Sequence, residues 1–80
     1  MREEIINCKN QALAQIMGSG DSNELEGIRI AYLGKSGKLT SIIKSIKDVP
    51  AEDRGQIGIL INQAKNTIIE EIANKKNSLL

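Results

Sequence analysis

The chain has no histidine, tryptophan or phenylalanine, and only one tyrosine, one cysteine and one proline. Without histidine it lacks an imidazole for general-base catalysis near neutral pH and a histidine ligand for a metal ion. One cysteine excludes an internal disulfide and a cysteine zinc site, and it suits a reducing cytosol. No apolar run is long enough to span a bilayer, and residues 1–4 lack the layout of a signal peptide. We therefore expect a cytoplasmic protein with no membrane contact.

The longest pattern in the sequence is a helix after the single proline. Pro50 fits the first turn of a helix, where its missing N–H costs nothing, and Glu52 and Asp53 complement the helix dipole there. Apolar residues then recur at helical spacing, three or four residues after an earlier member of the set: Ile57, Leu60, Ile61, Ala64, Ile68 and Ile72. This spacing predicts one amphipathic helix over residues 51–78, whose apolar stripe must be covered by the preceding residues.

Three shorter helices are predicted before Pro50, over residues 2–17, 22–33 and 39–46. We expect Gly18 and Gly20 to end the first helix in left-handed backbone angles, and Asp21 with Glu24 to cap the second. Short linkers favour antiparallel neighbours. The expected fold class is all-α: an antiparallel helical hairpin, or a coiled-coil-like small bundle with one long C-terminal helix, forming a single domain over residues 1–80. Whether the first three helices are separate or merge is left open.

No catalytic, cofactor-binding or metal-binding constellation is present. The segment Gly34-Lys35-Ser36 resembles the end of a phosphate-binding loop, but Arg29 stands where that motif requires glycine, and the preceding residues are predicted to be helical rather than a strand. A turn between helices is the simpler interpretation. Cys8 lies on an apolar stripe and is expected to be a small buried hydrophobe rather than a reactive thiol.

Charge is unevenly distributed although the net charge is only +1. Residues 27–47 contain five basic side chains and no acidic one: Arg29, Lys35, Lys38, Lys44 and Lys47. A basic segment of this kind suits contact with a phosphate backbone, and a solvated lysine-rich surface is the alternative. Tyr32 could stack on a base, but its place on the apolar stripe favours a core ring with the hydroxyl at the edge.

A set of motifs between Leu25 and Ile72 resembles a known family. The segment from Ile28 to Thr40 contains R-I-A-Y-L-G-K-S-G-K, Asp53-Arg54 follows, and Gly58, Asn62 and Lys65 are spaced as G-x-x-x-N-x-x-K. Together these resemble the N-terminal domain of the alpha subunit of bacterial phenylalanyl-tRNA synthetases. Ser36 departs from the family pattern, where a second lysine is common, and so reduces the basic charge at this turn.

The resemblance implies a function for the whole parent enzyme and a role for this arm. The parent would attach phenylalanine to tRNA(Phe) with ATP and magnesium, as an alpha-two beta-two assembly with a beta subunit. The arm would precede a class II catalytic domain and contact tRNA, with Arg29, Lys35, Lys38, Lys44 and Lys47 as the candidate tRNA-binding residues. The alternative is a helical protein–protein interaction or structural module that does not contact RNA.

The glycines and the asparagine of these motifs need physical roles. We expect Gly34 and Gly37 to supply unusual backbone angles at the turn, and Gly58 to mark a tight crossing between helices. Gly27 would reflect either a close helix approach or a tolerated flaw. Asn62 would hydrogen-bond the backbone near Gly34 or lie exposed.

Overall fold

The computed structural model describes residues 1–80 as a small all-α bundle, which confirms the predicted fold class. Its α-helices are α1 (Arg2–Gly18), α2 (Ser22–Leu33), α3 (Lys38–Lys44) and α4 (Ala51–Ser78), and a short 3-10 helix (Ser45–Asp48) follows α3. The first three α-helices are therefore separate. The helix predicted over residues 39–46 begins one residue earlier and continues as the 3-10 turn rather than as α-helix.

The helix termini follow the predicted chemistry of caps and charges. Pro50 is the N-cap of α4, whose first turn contains Glu52 and Asp53. At the start of α2, the Glu24 N–H donates to Asp21 Oδ1 at 2.8 Å. The Gly20 N–H donates to Glu24 Oε2, also at 2.8 Å. The first bond confirms the predicted cap and satisfies a backbone donor that the helix itself leaves free. In the second, the Glu24 side chain binds the backbone of the residue before the cap.

α1 and α4 run in parallel and form the largest contact between elements. At one end, the Arg2 guanidinium donates to the side chain of Gln56. At the other end, Lys75 Nζ lies 3.4 Å from the carbonyl oxygen of Met17 and donates to it. One of these hydrogen bonds joins the starts of α1 and α4, and the other joins their ends. The two helices therefore run in the same direction along the bundle, whose longest extent is 45 Å.

α2, α3 and the 3-10 helix together return along the other two helices. α2 begins beside the end of α4, where Lys76 Nζ is 3.8 Å from the Glu26 carboxylate. The 3-10 helix ends beside the start of α4, where Ile46 and Val49 pack against the cluster that contains Ile57. The returning segment, which consists of α2, α3 and the 3-10 helix, is therefore antiparallel to both α1 and α4.

The core is two clusters strung along the buried stripe of α4. The cluster near the end of α4 consists of Cys8, Ala12, Ile16, Leu25, Ile28, Tyr32, Leu39, Ile68 and Ile72. The cluster near its start consists of Ile5, Ile57, Ile61 and Ala64. Only 15 of the 80 residues are buried.

Truncation of a fully buried residue such as Ile68 to alanine is expected to lower the free energy of unfolding by about 2–5 kcal/mol, a large part of the stability of so small a domain.

The glycines at the helix ends do not adopt left-handed backbone angles. No glycine has a positive φ, so this prediction was wrong for Gly18, Gly20, Gly34 and Gly37. Gly34 and Gly37 instead avoid collisions: a Cβ on Gly37 would lie 2.6 Å from the carbonyl carbon of Tyr32, and one on Gly34 would lie within 3.0 Å of the backbone of Ile30. The turn is too tight for a side chain at either position.

The interior glycines of α2 and α4 lie in open space. No atom would come within 4 Å of a Cβ on Gly27 or Gly58, so the tight crossing predicted at Gly58 is wrong and Gly27 fits a tolerated flaw. Asn62 is exposed, and Thr40 Oγ1, not Asn62, donates to the Gly34 carbonyl oxygen, at 2.7 Å. The exposed alternative for Asn62 is therefore confirmed.

The contrast between Gly37 and Gly27 predicts stability changes of opposite sign. Gly37→Ala should lower the free energy of unfolding by about 1–3 kcal/mol, because its Cβ would meet fixed backbone atoms. Gly27→Ala should raise it by about 0.5–1 kcal/mol, because alanine favours the helix and meets nothing. Urea unfolding followed by circular dichroism measures both. Equal stability of the two variants would contradict the prediction.

Candidate nucleic-acid interface

The turn between α2 and α3 is held rigidly by its own backbone. The Gly34 N–H donates to the Ile30 carbonyl at 3.0 Å, which closes α2, and the Gly37 N–H donates to the Gly34 carbonyl at 2.9 Å. The Ser41 N–H then donates to the Gly37 carbonyl at 2.9 Å and opens α3. With the Thr40 bond described above, Gly34 and Gly37 are fixed relative to the two helices that the turn joins.

Three of the five predicted cations surround this turn, and we call Lys35, Lys38 and Lys44 the basic corner. All three side chains are exposed. Lys44 Nζ donates to the Lys35 carbonyl oxygen at 3.4 Å, which places the two lysines next to each other although nine residues separate them. No acidic side chain forms an ion pair with any of the three. The corner is therefore an uncompensated cluster of positive charge.

Tyr32 is the core residue that lies beneath Lys38 of the basic corner. Its side chain is 1% exposed, and its hydroxyl accepts a hydrogen bond from Gln15 Nε2 at 3.0 Å. The ring therefore belongs to the core, with its polar end satisfied, and it is not free to stack on a base. Lys38 Nζ lies 5.3 Å from the ring centroid, within the range of a cation–π interaction.

Lys47 lies at the far end of the returning segment. Its backbone is held by Arg54, which was not among the predicted site residues. Arg54 Nη2 donates to the Lys47 carbonyl oxygen at 2.9 Å, and its Nε donates to the Val49 carbonyl at 3.0 Å. The guanidinium thus fixes the loop between the 3-10 helix and α4. An arginine in an otherwise acidic first turn was the available signal, because a cation is unfavourable there unless it has another partner.

Arg29 is separate from the corner and is compensated. It lies on α2, and its Nε donates to Glu26 Oε1 at 2.9 Å. This hydrogen bond is the main reason that the pKa of Glu26 lies below its ordinary value, and the same contact raises the pKa of Arg29. Lys76 approaches the other carboxylate oxygen. Of the five predicted cations, Arg29 alone is therefore paired with a carboxylate.

Neither the largest cavity nor any cluster of metal-ligating side chains provides a second site for an anion or a metal ion. The largest cavity, about 580 Å³, opens at the starts of α1 and α4 and is lined by four carboxylates among its nine residues, which repel phosphate. No group of three or more His, Cys, Asp or Glu side chains could hold a metal ion. Cys8 is a buried core residue, as predicted, and burial raises the pKa of its thiol. No helix has both the length and the apolarity that crossing a membrane requires.

Comparison with known proteins assigns this bundle to a class. The family model described as "Aminoacyl tRNA synthetase class II, N-terminal domain" matches residues 20–80, and the chain belongs to that family.

Particular relatives are the alpha subunits of phenylalanine–tRNA ligases. The chain is 41% identical over 78 residues to the alpha subunit of Lachnoclostridium phytofermentans, and the match covers 98% of this chain and 23% of the relative. It is 46% identical over 69 residues to that of Pseudomonas fluorescens strain SBW25, covering 86% of this chain and 20% of the relative. The chain thus spans about a fifth to a quarter of the curated relatives it matches. No solved structure matches it.

The Glu26–Arg29 contact predicts how stability responds to acid. Because the folded-state pKa of Glu26 is lowered, its contribution is present above the unfolded value of 4.5 and is lost as the pH falls through the folded value. The effect is small because both side chains are exposed to water. Thermal unfolding from neutral to acidic pH should show that Glu26→Gln loses less stability than the wild type.

Glu70→Gln is the matched control for this measurement, since Glu70 is exposed and has no ion-pair partner. Its pH profile should follow the wild type more closely than that of Glu26→Gln. If the profiles of Glu26→Gln and the wild type are parallel, the contact with Arg29 does not hold Glu26 ionised in solution.

Proposed function

We propose that this chain is the N-terminal arm of the alpha subunit of a phenylalanine–tRNA ligase. The identity of its relatives and the family match over three-quarters of its length support this assignment. The parent enzyme would join phenylalanine to tRNA(Phe) in the cytoplasm, at the expense of ATP and with magnesium, as an alpha-two beta-two assembly with a beta subunit. We assign the arm no role in the chemical step.

The role that we propose for the arm is to contact the phosphates of tRNA(Phe). The observation that carries this proposal is the basic corner: three exposed lysines, without carboxylate partners, on a turn that is fixed by hydrogen bonds. Because the turn is rigid, little conformational entropy of the backbone is lost when RNA binds. Lysines that meet phosphates release counterions and position the RNA without reading its sequence.

The five candidate residues should contribute unequally. Lys35, Lys38 and Lys44 are adjacent and uncompensated, so they should contribute most. Lys47 stands apart at the other end of the returning segment, where Arg54 fixes its backbone. Arg29 must share its charge with Glu26, so its contact with phosphate would be the weakest of the set.

A second candidate function is a helical protein–protein interaction module. The observation that favours it is a set of exposed isoleucines on α4, Ile59 and Ile69, which are 60% and 44% exposed. They lie away from the core stripe. A module of this kind would not depend on the lysines of the basic corner, so the two candidates predict different responses to their substitution.

The test is tRNA binding by the assembled ligase in which Lys35, Lys38 and Lys44 are changed to glutamine. We expect the dissociation constant for tRNA(Phe) to rise about tenfold at moderate salt. The slope of log K against log salt should become less steep by about two to three, since each of the three lost phosphate contacts removes about 0.7–0.9 from it. ATP-dependent activation of phenylalanine, which needs no tRNA, should be unchanged.

The matched control changes Lys9, Lys65 and Lys76 to glutamine, which removes the same charge from α1 and α4. This variant should retain the affinity and the salt slope of the wild type. Equal weakening of both variants would mean that only total charge matters, and an unchanged affinity of the corner variant would reject phosphate contact. A wild-type ligase that does not charge tRNA(Phe) would reject the parent assignment instead.

A further inference from the structure

Lys38 occupies a position that is unfavourable for a cation. It is the first residue of α3, whose N-cap, Gly37, forms no side-chain hydrogen bond and whose first turn contains no acidic residue. The amide groups at the start of a helix carry partial positive charge, which disfavours a lysine there. No carboxylate lies within ion-pair distance of the Lys38 ammonium group. Any group that stabilises this ammonium group therefore lies outside α3.

The turn between α2 and α3 brings Lys38 back to Tyr32, six residues earlier in the chain. A Cβ on Gly37 would lie 2.6 Å from the carbonyl carbon of Tyr32, so the chain folds directly over the end of α2. Lys38 Nζ then lies over the Tyr32 ring, 5.3 Å from its centroid. The Cys8 thiol also senses this charge: burial raises its pKa, and Lys38 opposes the increase. The ammonium group therefore lies at the edge of the core.

The Tyr32 ring is held from two helices, which makes it a fixed support for the ammonium group. Its backbone belongs to α2, its side chain is 1% exposed, and its hydroxyl accepts a hydrogen bond from Gln15 of α1. The face of an aromatic ring attracts a cation within about 6 Å of the centroid. An ammonium group has three N–H donors, so one side of it can meet the ring while another meets an acceptor outside the bundle.

We propose that Tyr32 is a positioning residue whose ring holds the Lys38 ammonium group where a phosphate of tRNA(Phe) meets it. This inference rests on the proposed function and deepens it, since it names the residue that presets one lysine of the basic corner. Tyr32 itself does not touch the RNA, because its ring is buried. Of the three lysines of the corner, only Lys38 lies over the ring, so the effect of Tyr32 should be confined to Lys38.

The first measurement is the proton NMR spectrum of the 80-residue chain without RNA. Tyr32 is the only aromatic residue, so any ring-current shift of a lysine signal comes from its ring. We expect the ε-methylene protons of Lys38 to lie upfield of those of Lys35 and Lys44, which serve as internal controls. Tyr32→Phe should keep this shift, because the ring is retained, and Tyr32→Leu should remove it. Equal shifts for all three lysines in the wild type would overturn the proposal, whether or not the variants fold.

The second measurement is the affinity of the assembled ligase for tRNA(Phe). Tyr32→Leu should raise the dissociation constant about two- to fivefold, the change in population that a cation–π interaction at an exposed site supports. Tyr32→Phe should retain the wild-type value. In a Lys38→Gln background Tyr32→Leu should have no further effect, because the side chain that it positions is absent. This non-additivity separates positioning from a general loss of structure, which would weaken binding in both backgrounds.

The matched control is Ile68→Ala, which truncates another buried side chain of the same core cluster. It should lower the stability of the bundle while the upfield shift of Lys38 and the affinity for tRNA(Phe) stay at their wild-type values. An equal loss of affinity in Ile68→Ala and Tyr32→Leu would assign Tyr32 a purely structural role.

Failure of the proposed function is distinguishable from failure of this inference. If Lys38→Gln alone leaves the affinity for tRNA(Phe) unchanged, phosphate contact by Lys38 is rejected together with its positioning. If Lys38→Gln weakens binding but Tyr32→Leu with wild-type helical content does not, only the role of the ring is rejected. Tighter binding by Tyr32→Leu would also reject it, because the ring would then withhold the ammonium group from the RNA.

Discussion

Burial of the inner stripe of α4 is the constraint on which the rest of the structure depends. A helix of 28 residues is about 42 Å long, and its isoleucines would be in water without a partner of similar length. No single preceding helix is that long. The chain covers one side of the stripe with α1 and the other with a returning segment divided into α2, α3 and a 3-10 turn. The bundle is therefore as long as α4 and only 19 by 15 Å across.

This shape explains why polar contacts matter so much at the ends and turns. A slender bundle has little interior, and its two core clusters are small. The ends of the helices are therefore joined by side chains that reach backbone or side-chain acceptors, such as Lys75 to Met17 and Arg54 to Lys47. Each such bond is worth little alone, and together they join helix ends that lie outside the two apolar clusters.

The elements were predictable from the sequence because they depend on local signals. The periodicity of apolar residues predicted α4, and Asp21 with Glu24 predicted the start of α2, because helix caps and apolar stripes depend on residues that are close in sequence. What could not be predicted depended on atoms distant in sequence or on backbone geometry. Gly34 and Gly37 are required by collisions with Ile30 and Tyr32 rather than by their own torsion angles. The prediction of a tight helix crossing at Gly58 was wrong, because a glycine within a helix does not by itself show whether another helix packs against that side.

The candidate site shows the same division. The five cations could be selected from the sequence because acidic residues are absent from residues 27–47. Their grouping was not predicted. The pairing of Arg29 with Glu26 was readable from the sequence, because the two residues are three apart on one helix, but Glu26 lies just outside the segment. The approach of Lys44 to Lys35 depends on how the turn folds. A count of charges therefore overstates the site: three lysines form one cluster, and the other two cations have separate surroundings.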